Sequence, residues 1–235
     1  MGHSRIELEK AVEIAREIRT RERFSKLDFY DPYPYQLNFH KTGSEANQRL
    51  LMAANRIGKS FSGASEMSYH LTGLYPDWWE GRKFTQPITA WAGGVSNETT
   101  RDIVQYELLG SPDDPAAFGS GTVPRNKIIK TERKPGVPNA KSVALIQHVT
   151  GGNSSLFFKA YEMGVDKWQG RSVDCIWLDE EPSRELYSQA VTRTLDRKGM
   201  VYMTFTPESG MTETVASFMN NLQHGQSLTN ATWDD

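Results

Sequence analysis

The sequence predicts an α/β fold with a mainly parallel central sheet flanked by helices, and three observations carry that expectation. Short apolar runs recur along the chain between helical and loop-like stretches; one run leads through a glycine- and lysine-bearing loop into a helix; another ends in two adjacent carboxylates. The 235 residues are 37% apolar and 24% charged, enough for one sizeable core and an appendage, which excludes collagen, low-complexity disorder and a disulfide miniprotein. The formal charge is −2, so a nucleic-acid partner would need a local basic patch. The lone Cys175 lies in an apolar run, which forbids an intramolecular disulfide and fits a reducing setting. No window is apolar enough to span a bilayer, and the start lacks a secretory pattern.

From Ser4 to about Phe24, Leu8, Ala11, Val12, Ala15 and Ile18 recur at helical spacing among charges, predicting an amphipathic N-terminal helix. Ser4 and Glu7 have capping-box spacing, which would start that helix at Ser4. Asp31-Pro32-Tyr33-Pro34-Tyr35 then interrupts helical propagation, giving a division into an appendage over 1–30 and a main domain over 31–235. Buried strands are expected at 49–53, 88–92, 173–178 and 200–204. Two more, 143–149 and 156–160, are joined by the turn-rich Thr150-Gly151-Gly152-Asn153-Ser154, a hairpin that would make the sheet mixed. The proline-rich region from Gly110 to Asn139 reads as an insertion or surface loop.

The most specific local signal is Ala53-Ala54-Asn55-Arg56-Ile57-Gly58-Lys59-Ser60, between a predicted strand and a predicted helix from Phe61 to Leu71. It matches the phosphate-loop template except that Ala53 replaces the first glycine. Such a turn aims successive backbone N–H groups and a helix N-terminus at one point, so Asn55, Arg56, Ile57, Gly58, Lys59, Ser60 and Phe61 are the candidate phosphate-binding residues. Lys59 would reach the β and γ phosphates, Ser60 would give a hydroxyl to Mg²⁺, and Arg56 would stabilise transition-state charge in cis or else be an exposed loop charge.

Hydrolysis needs acids at a strand end, and Cys175-Ile176-Trp177-Leu178-Asp179-Glu180 supplies them. Asp179 is placed to hold the Mg²⁺ shell and Glu180 to activate a water for in-line attack; the alternative is that the acids cap a helix starting near Glu181-Pro182. Tyr35 and Gln36 stand upstream as candidates for packing on an adenine face and bonding its edge. Thr206, in Thr204-Phe205-Thr206-Pro207, is a candidate sensor of the γ phosphate; that segment also reads as a strand end stopped by proline.

The stretch from Arg125 to Lys141 reads as a loop with a local excess of +5, a candidate contact for a phosphate backbone or simply a solvated loop. Arg101 is a candidate arginine supplied to a neighbouring subunit, although a helix residue after a Ser96-Asn97 cap is the simpler account. Trp78, Trp79 and Trp91 read as packing residues, not base-stacking platforms.

With these motifs in order, the chain resembles the ATPase domain of the large terminase subunit of tailed bacteriophages, over about Tyr33 to Asp235. The resemblance rests on Tyr35-Gln36, Ala53 to Ser60 with its internal Arg56, Cys175 to Glu180 and Thr204 to Pro207, with Trp168 to Ser172 and Asn230 to Asp235 as further family-like phrases. It implies a RecA-like ASCE P-loop fold and Mg²⁺-dependent ATP hydrolysis that drives double-stranded DNA into procapsids. The implied partners are DNA, the portal protein of the procapsid, the small terminase subunit and other copies in a ring, with no membrane. The implied location is the host cytoplasm, transiently the portal vertex. Family members normally carry a further nuclease domain, which the sequence up to Asp235 does not contain. A P-loop small-molecule kinase and a nucleotide-binding assembly module without hydrolysis are the competing readings.

Overall fold

The structure is a computed structural model that describes residues 2–207, 210–220 and 222–232; the side chains of residues 2–6 lie outside the description, as does Trp233-Asp234-Asp235 from the last family-like phrase. Eight strands form one sheet: β1 (Gln48–Ala53), β2 (Thr89–Gly94), β3 (Ile128–Arg133), β4 (Lys141–Gln147), β5 (Asn153–Ala160), β6 (Cys175–Asp179), β7 (Met200–Phe205) and β8 (Gln226–Ala231). Their order is β3-β4-β5-β2-β6-β7-β1-β8. From β5 to β8 every pairing is parallel, and β4 and β3 extend the edge antiparallel. The expected α/β fold and the β4–β5 hairpin are therefore both present, and the sheet is mixed as that hairpin requires.

The helices are α1 (Gly2–Phe24), α2 (Pro34–Thr42), α3 (Lys59–Thr72), α4 (Asn97–Thr99), α5 (Tyr106–Leu109), α6 (Arg184–Leu195) and α7 (Glu213–Met219). A π-helical turn, Thr100–Gln105, joins α4 to α5. Both faces of the central strands are covered, which is why β6 and β7 read as unbroken apolar runs instead of alternating ones. On one face Ala90, Cys175, Trp177 and Tyr202 pack with Ala64 and Met67 of α3. On the other, Trp91, Ile176, Leu178 and Met203 pack with Leu186 and Ala190 of α6 and Phe218 of α7. Gly63 lets α3 approach the sheet: a Cβ there would meet the Trp177 ring at 2.7 Å.

Three expectations need correcting. Helix α1 begins at Gly2, so Ser4 is an interior position and not its cap, and the stripe Leu8, Val12 and Ile18 is exposed. The segment from Arg125 to Lys141 is not a loop throughout. Its residues 128–133 form β3, an antiparallel edge strand whose charges hid its period, and Lys130 there pairs with Glu132 at 3.1 Å. The acids after β6 do not open a helix at Glu181-Pro182, because α6 starts at Arg184 with Ser183 as its cap. Trp79 and Trp91 are buried packing residues, as expected.

Candidate nucleotide site

Parallel strands end together, so the turns after β1, β6 and β7 gather at one edge of the sheet. The loop after β1 climbs into α3 through two residues in left-handed conformation, Arg56 at φ +65° and Gly58 at φ +90°. Gly58 caps the helix and meets that demand without strain, whereas Arg56 holds an unfavourable backbone. Ala53 needs no such freedom. It is the last residue of β1, paired in register with Ala231, so a methyl replaces the template glycine at an ordinary strand position.

Side chains brace this loop from three directions. The Thr206 hydroxyl donates to Ala53 O and Asn55 Oδ1, both at 2.9 Å. The buried Lys59 ammonium also donates to Asn55 Oδ1, at 3.3 Å. From α2, the Tyr35 hydroxyl donates to Ile57 O, and Gln36 Nε2 donates to Gly58 O at 3.3 Å. Gln36 Oε1 meanwhile accepts from Tyr33 N–H at 2.9 Å, which sets the start of α2 at Pro34 and keeps the amide buried. In this state both Tyr35 and Gln36 hold the loop. The exposed ring is Tyr33, stacked on Tyr35 at 6.0 Å, and an open cavity of about 430 Å³ beside it is lined by Tyr30, Tyr33, Gln36, Gly58 and Phe61.

The acidic strand meets the loop directly. Ser60 Oγ lies 3.0 Å from Asp179 Oδ1, and Thr204 Oγ1 lies 2.7 Å from the same oxygen. Burial pushes the Asp179 carboxyl up to about 6, although the Thr204 and Ser60 hydroxyls and the Lys59 charge all favour its ionised form. A buried carboxylate beside a hydroxyl is a hard-oxygen donor set that fits a small divalent cation such as Mg²⁺. Glu180 follows at φ +65°, its N–H donating to Thr204 O at 3.0 Å. Arg101 lies apart from this cluster, in the π turn, where it pairs with Asp102 at 2.6 Å and donates to Pro138 O at 3.2 Å.

A buried ionic cluster beneath the loop was not anticipated. Glu66 of α3 accepts from both Arg49 amines, is 2.8 Å from His40 Nδ1 of α2 and 3.3 Å from His70 Nε2. Arg49 also donates to Phe39 O at 2.7 Å and stacks over the Phe39 ring at 4.7 Å. Burial raises the Glu66 carboxyl, but Arg49, His40 and His70 together hold it well below the ordinary range. The cluster ties α2, which carries Tyr35 and Gln36, to β1 and α3, which carry the phosphate loop.

The family described as "Terminase large subunit, T4likevirus-type, N-terminal" matches residues 50–235. The large terminase subunit of Salmonella phage P22 is 34% identical over 220 residues, which cover 86% of this chain and 44% of that protein, so the chain spans less than half the length of this relative. Among solved structures, the large terminase ATPase domain of Thermus phage P74-26 superposes with a TM-score of 0.55 at 16% identity, covering 88% of this chain and 83% of that one. The large terminase of a thermophilic bacteriophage, solved in complex with ADP, gives 0.57 at 10% identity, covering 86% of this chain and 46% of that one.

Proposed function

Because the chain belongs to the large terminase subunit family, to its N-terminal domain, we propose that it is an Mg²⁺-dependent ATPase whose hydrolysis drives double-stranded viral DNA into the procapsid. The observation that carries this reading is the 3.0 Å contact of Ser60 with Asp179, which joins the phosphate-loop helix to the acidic strand. Two motifs distant in sequence, both required by one chemistry, meet at one point.

In this reading the N–H groups of Asn55 to Phe61 and the Lys59 ammonium hold the β and γ phosphates at the start of α3. Ser60 and Asp179 would hold Mg²⁺, which supplies neutralisation of phosphate charge. Glu180 orients and deprotonates the attacking water, and Arg56 lies along the phosphates to offset charge in the transition state. Thr206, bonded to the loop at Ala53 and Asn55, registers loss of the γ phosphate at the end of β7. The cavity beside Tyr33 and Phe61 takes the base, with Gln36 exchanging one of its present partners for the adenine edge and Tyr35 shaping the loop from α2. Arg101 is the candidate group for a neighbouring subunit's site, and the basic edge strand with Lys130 and Arg133 is the candidate for DNA backbone. The partners in this reading are duplex DNA, the portal of the procapsid, the small terminase subunit and further copies in a ring. The work is done in the host cytoplasm and at the portal vertex.

The test is phosphate release from Mg-ATP over a wide range of protein concentration, with Glu180→Gln in parallel. Specific activity that rises with concentration and disappears in the variant is expected, since assembly would supply a group in trans. ATP binding with turnover no higher than the variant's at every concentration, duplex DNA present, overturns the assignment of hydrolysis to this chain.

A further inference from the structure

We infer that Tyr161 is a positioning residue for the Glu180 carboxylate, an inference that rests on the reading of Glu180 as the group that activates water. Glu180 occupies the left-handed region, at φ +65°, where a side chain that is neither glycine nor asparagine is held only if its surroundings insist on it. Its N–H bond to Thr204 O fixes one side of the peptide. The other side is fixed by Tyr161, whose hydroxyl lies 2.8 Å from Asp179 O and 2.9 Å from Glu180 O and shares its proton between them. A single side chain therefore bridges the two carbonyls that flank the turn. Because φ at residue 180 sets the direction in which its side chain leaves the backbone, the bridge determines where that carboxylate stands.

Tyr161 is equipped for this. A phenol with an ordinary value of about 10 is a donor at any physiological pH. Its ring packs on Trp168 with centroids 5.9 Å apart. The short 3-10 turn that carries it, Tyr161–Met163, is anchored to the end of β2: Glu162 N–H donates to Val95 O at 3.1 Å, and the Glu162 carboxylate accepts from Asn97 N–H at 2.7 Å. The hydroxyl is thus placed by a scaffold independent of the phosphate loop.

The discriminating variant is Tyr161→Phe, which removes one oxygen and keeps the ring. Residue-resolved hydrogen exchange on the nucleotide-free chain should show the Glu180 amide exchanging at least tenfold faster while β1 and α3 amides keep wild-type rates. Turnover should fall about tenfold in kcat with KM changed less than twofold, and the same substitution placed in Glu180→Gln should lower residual turnover no further. Unchanged exchange at Glu180, equal loosening of β1 and α3, wild-type kcat, or a full additional loss in the double variant each overturns the inference. Failure of the underlying reading has a separate signature: Glu180→Gln alone with wild-type turnover.

Discussion

Asp179 and Thr204 are both register partners on adjacent strands and hydrogen-bond partners, with Thr204 Oγ1 2.7 Å from Asp179 Oδ1. The same hydroxyl accepts from Trp177 Nε1 at 2.7 Å, so its capacity is spent on a buried indole and a buried carboxylate. Replacing Thr204 with valine keeps the shape, strands the indole N–H and leaves the Asp179 oxygen with the Ser60 hydroxyl alone. The expected destabilisation is about 1–3 kcal/mol, measured as a shift in urea midpoint without a change in slope.

Thr206 presents the contrasting case one turn of the pleat later. Its hydroxyl serves the phosphate loop at Ala53 O and Asn55 Oδ1 and sits where the strand has already ended. Thr206→Val should change stability by less than about 1 kcal/mol, the range of a partly exposed hydrogen bond. It should lower kcat by about tenfold with nucleotide affinity within threefold, read by fluorescent-nucleotide titration beside steady-state turnover.

On the proposed function, Lys59 and Glu180 separate binding from chemistry. Lys59→Ala removes a buried cation at the start of α3 and should weaken ATP binding and lower turnover together. Glu180→Gln should bind ATP as the wild type does and lose at least a hundredfold in kcat. Equilibrium titration with a non-hydrolysable analogue, alongside phosphate release, distinguishes the two.

The cluster under the loop predicts acid sensitivity. Burial holds the His70 imidazole below its usual 6.5 despite the pull of Glu66, so the unfolded chain protonates there before the folded one and stability falls as pH drops through 6.5. The Glu66 carboxyl, held well below its ordinary 4.5, contributes stability that is complete above 4.5 and lost as pH falls toward its folded value. Both effects have one sign, and Asp179 and Glu107, whose carboxyls burial raises, have the opposite one. With those two neutralised as Asp179→Asn and Glu107→Gln, the urea midpoint should fall from pH 7 to pH 5 and further by pH 4. Glu66→Gln should cost about 3–5 kcal/mol at pH 7, because Arg49 is left buried without its counter-ion, and Arg49→Met in the same chain should recover part of that loss.

The phosphate loop and the acids after β6 were legible because their chemistry demands particular residue types within a few consecutive positions. The parallel sheet was legible because strands covered on both faces become uninterrupted apolar runs, as in Cys175 to Leu178. The Glu66 cluster was not, since Arg49, Glu66, His40 and His70 come from three elements and each fills a position where a charged residue attracts no notice. Tyr161 escaped for the same reason: its partners are backbone carbonyls, which carry no sequence signal. Strand β3 was hidden by its own edge character, four polar residues in six, and the start of α2 by prolines that elsewhere end helices but here open one at Pro34. In Tyr35 and Gln36 the residues that attract attention as adenine contacts spend their hydrogen bonds on Ile57 and Gly58, a relation visible only once α2 is docked on the loop.

Strand β7 separates β1 from β6, so the strand that leads into the Gly58-Lys59 loop and the strand that ends in acids stand two ladder spacings apart, about 10 Å between axes. Backbone ladders make that interval stiff, because changing it would break a row of buried amide bonds. If the chain is the motor proposed above, its stroke would be generated by the short segments beyond the strand ends, where residues 206, 180 and 56 sit, with the sheet as the rigid reference against which they move.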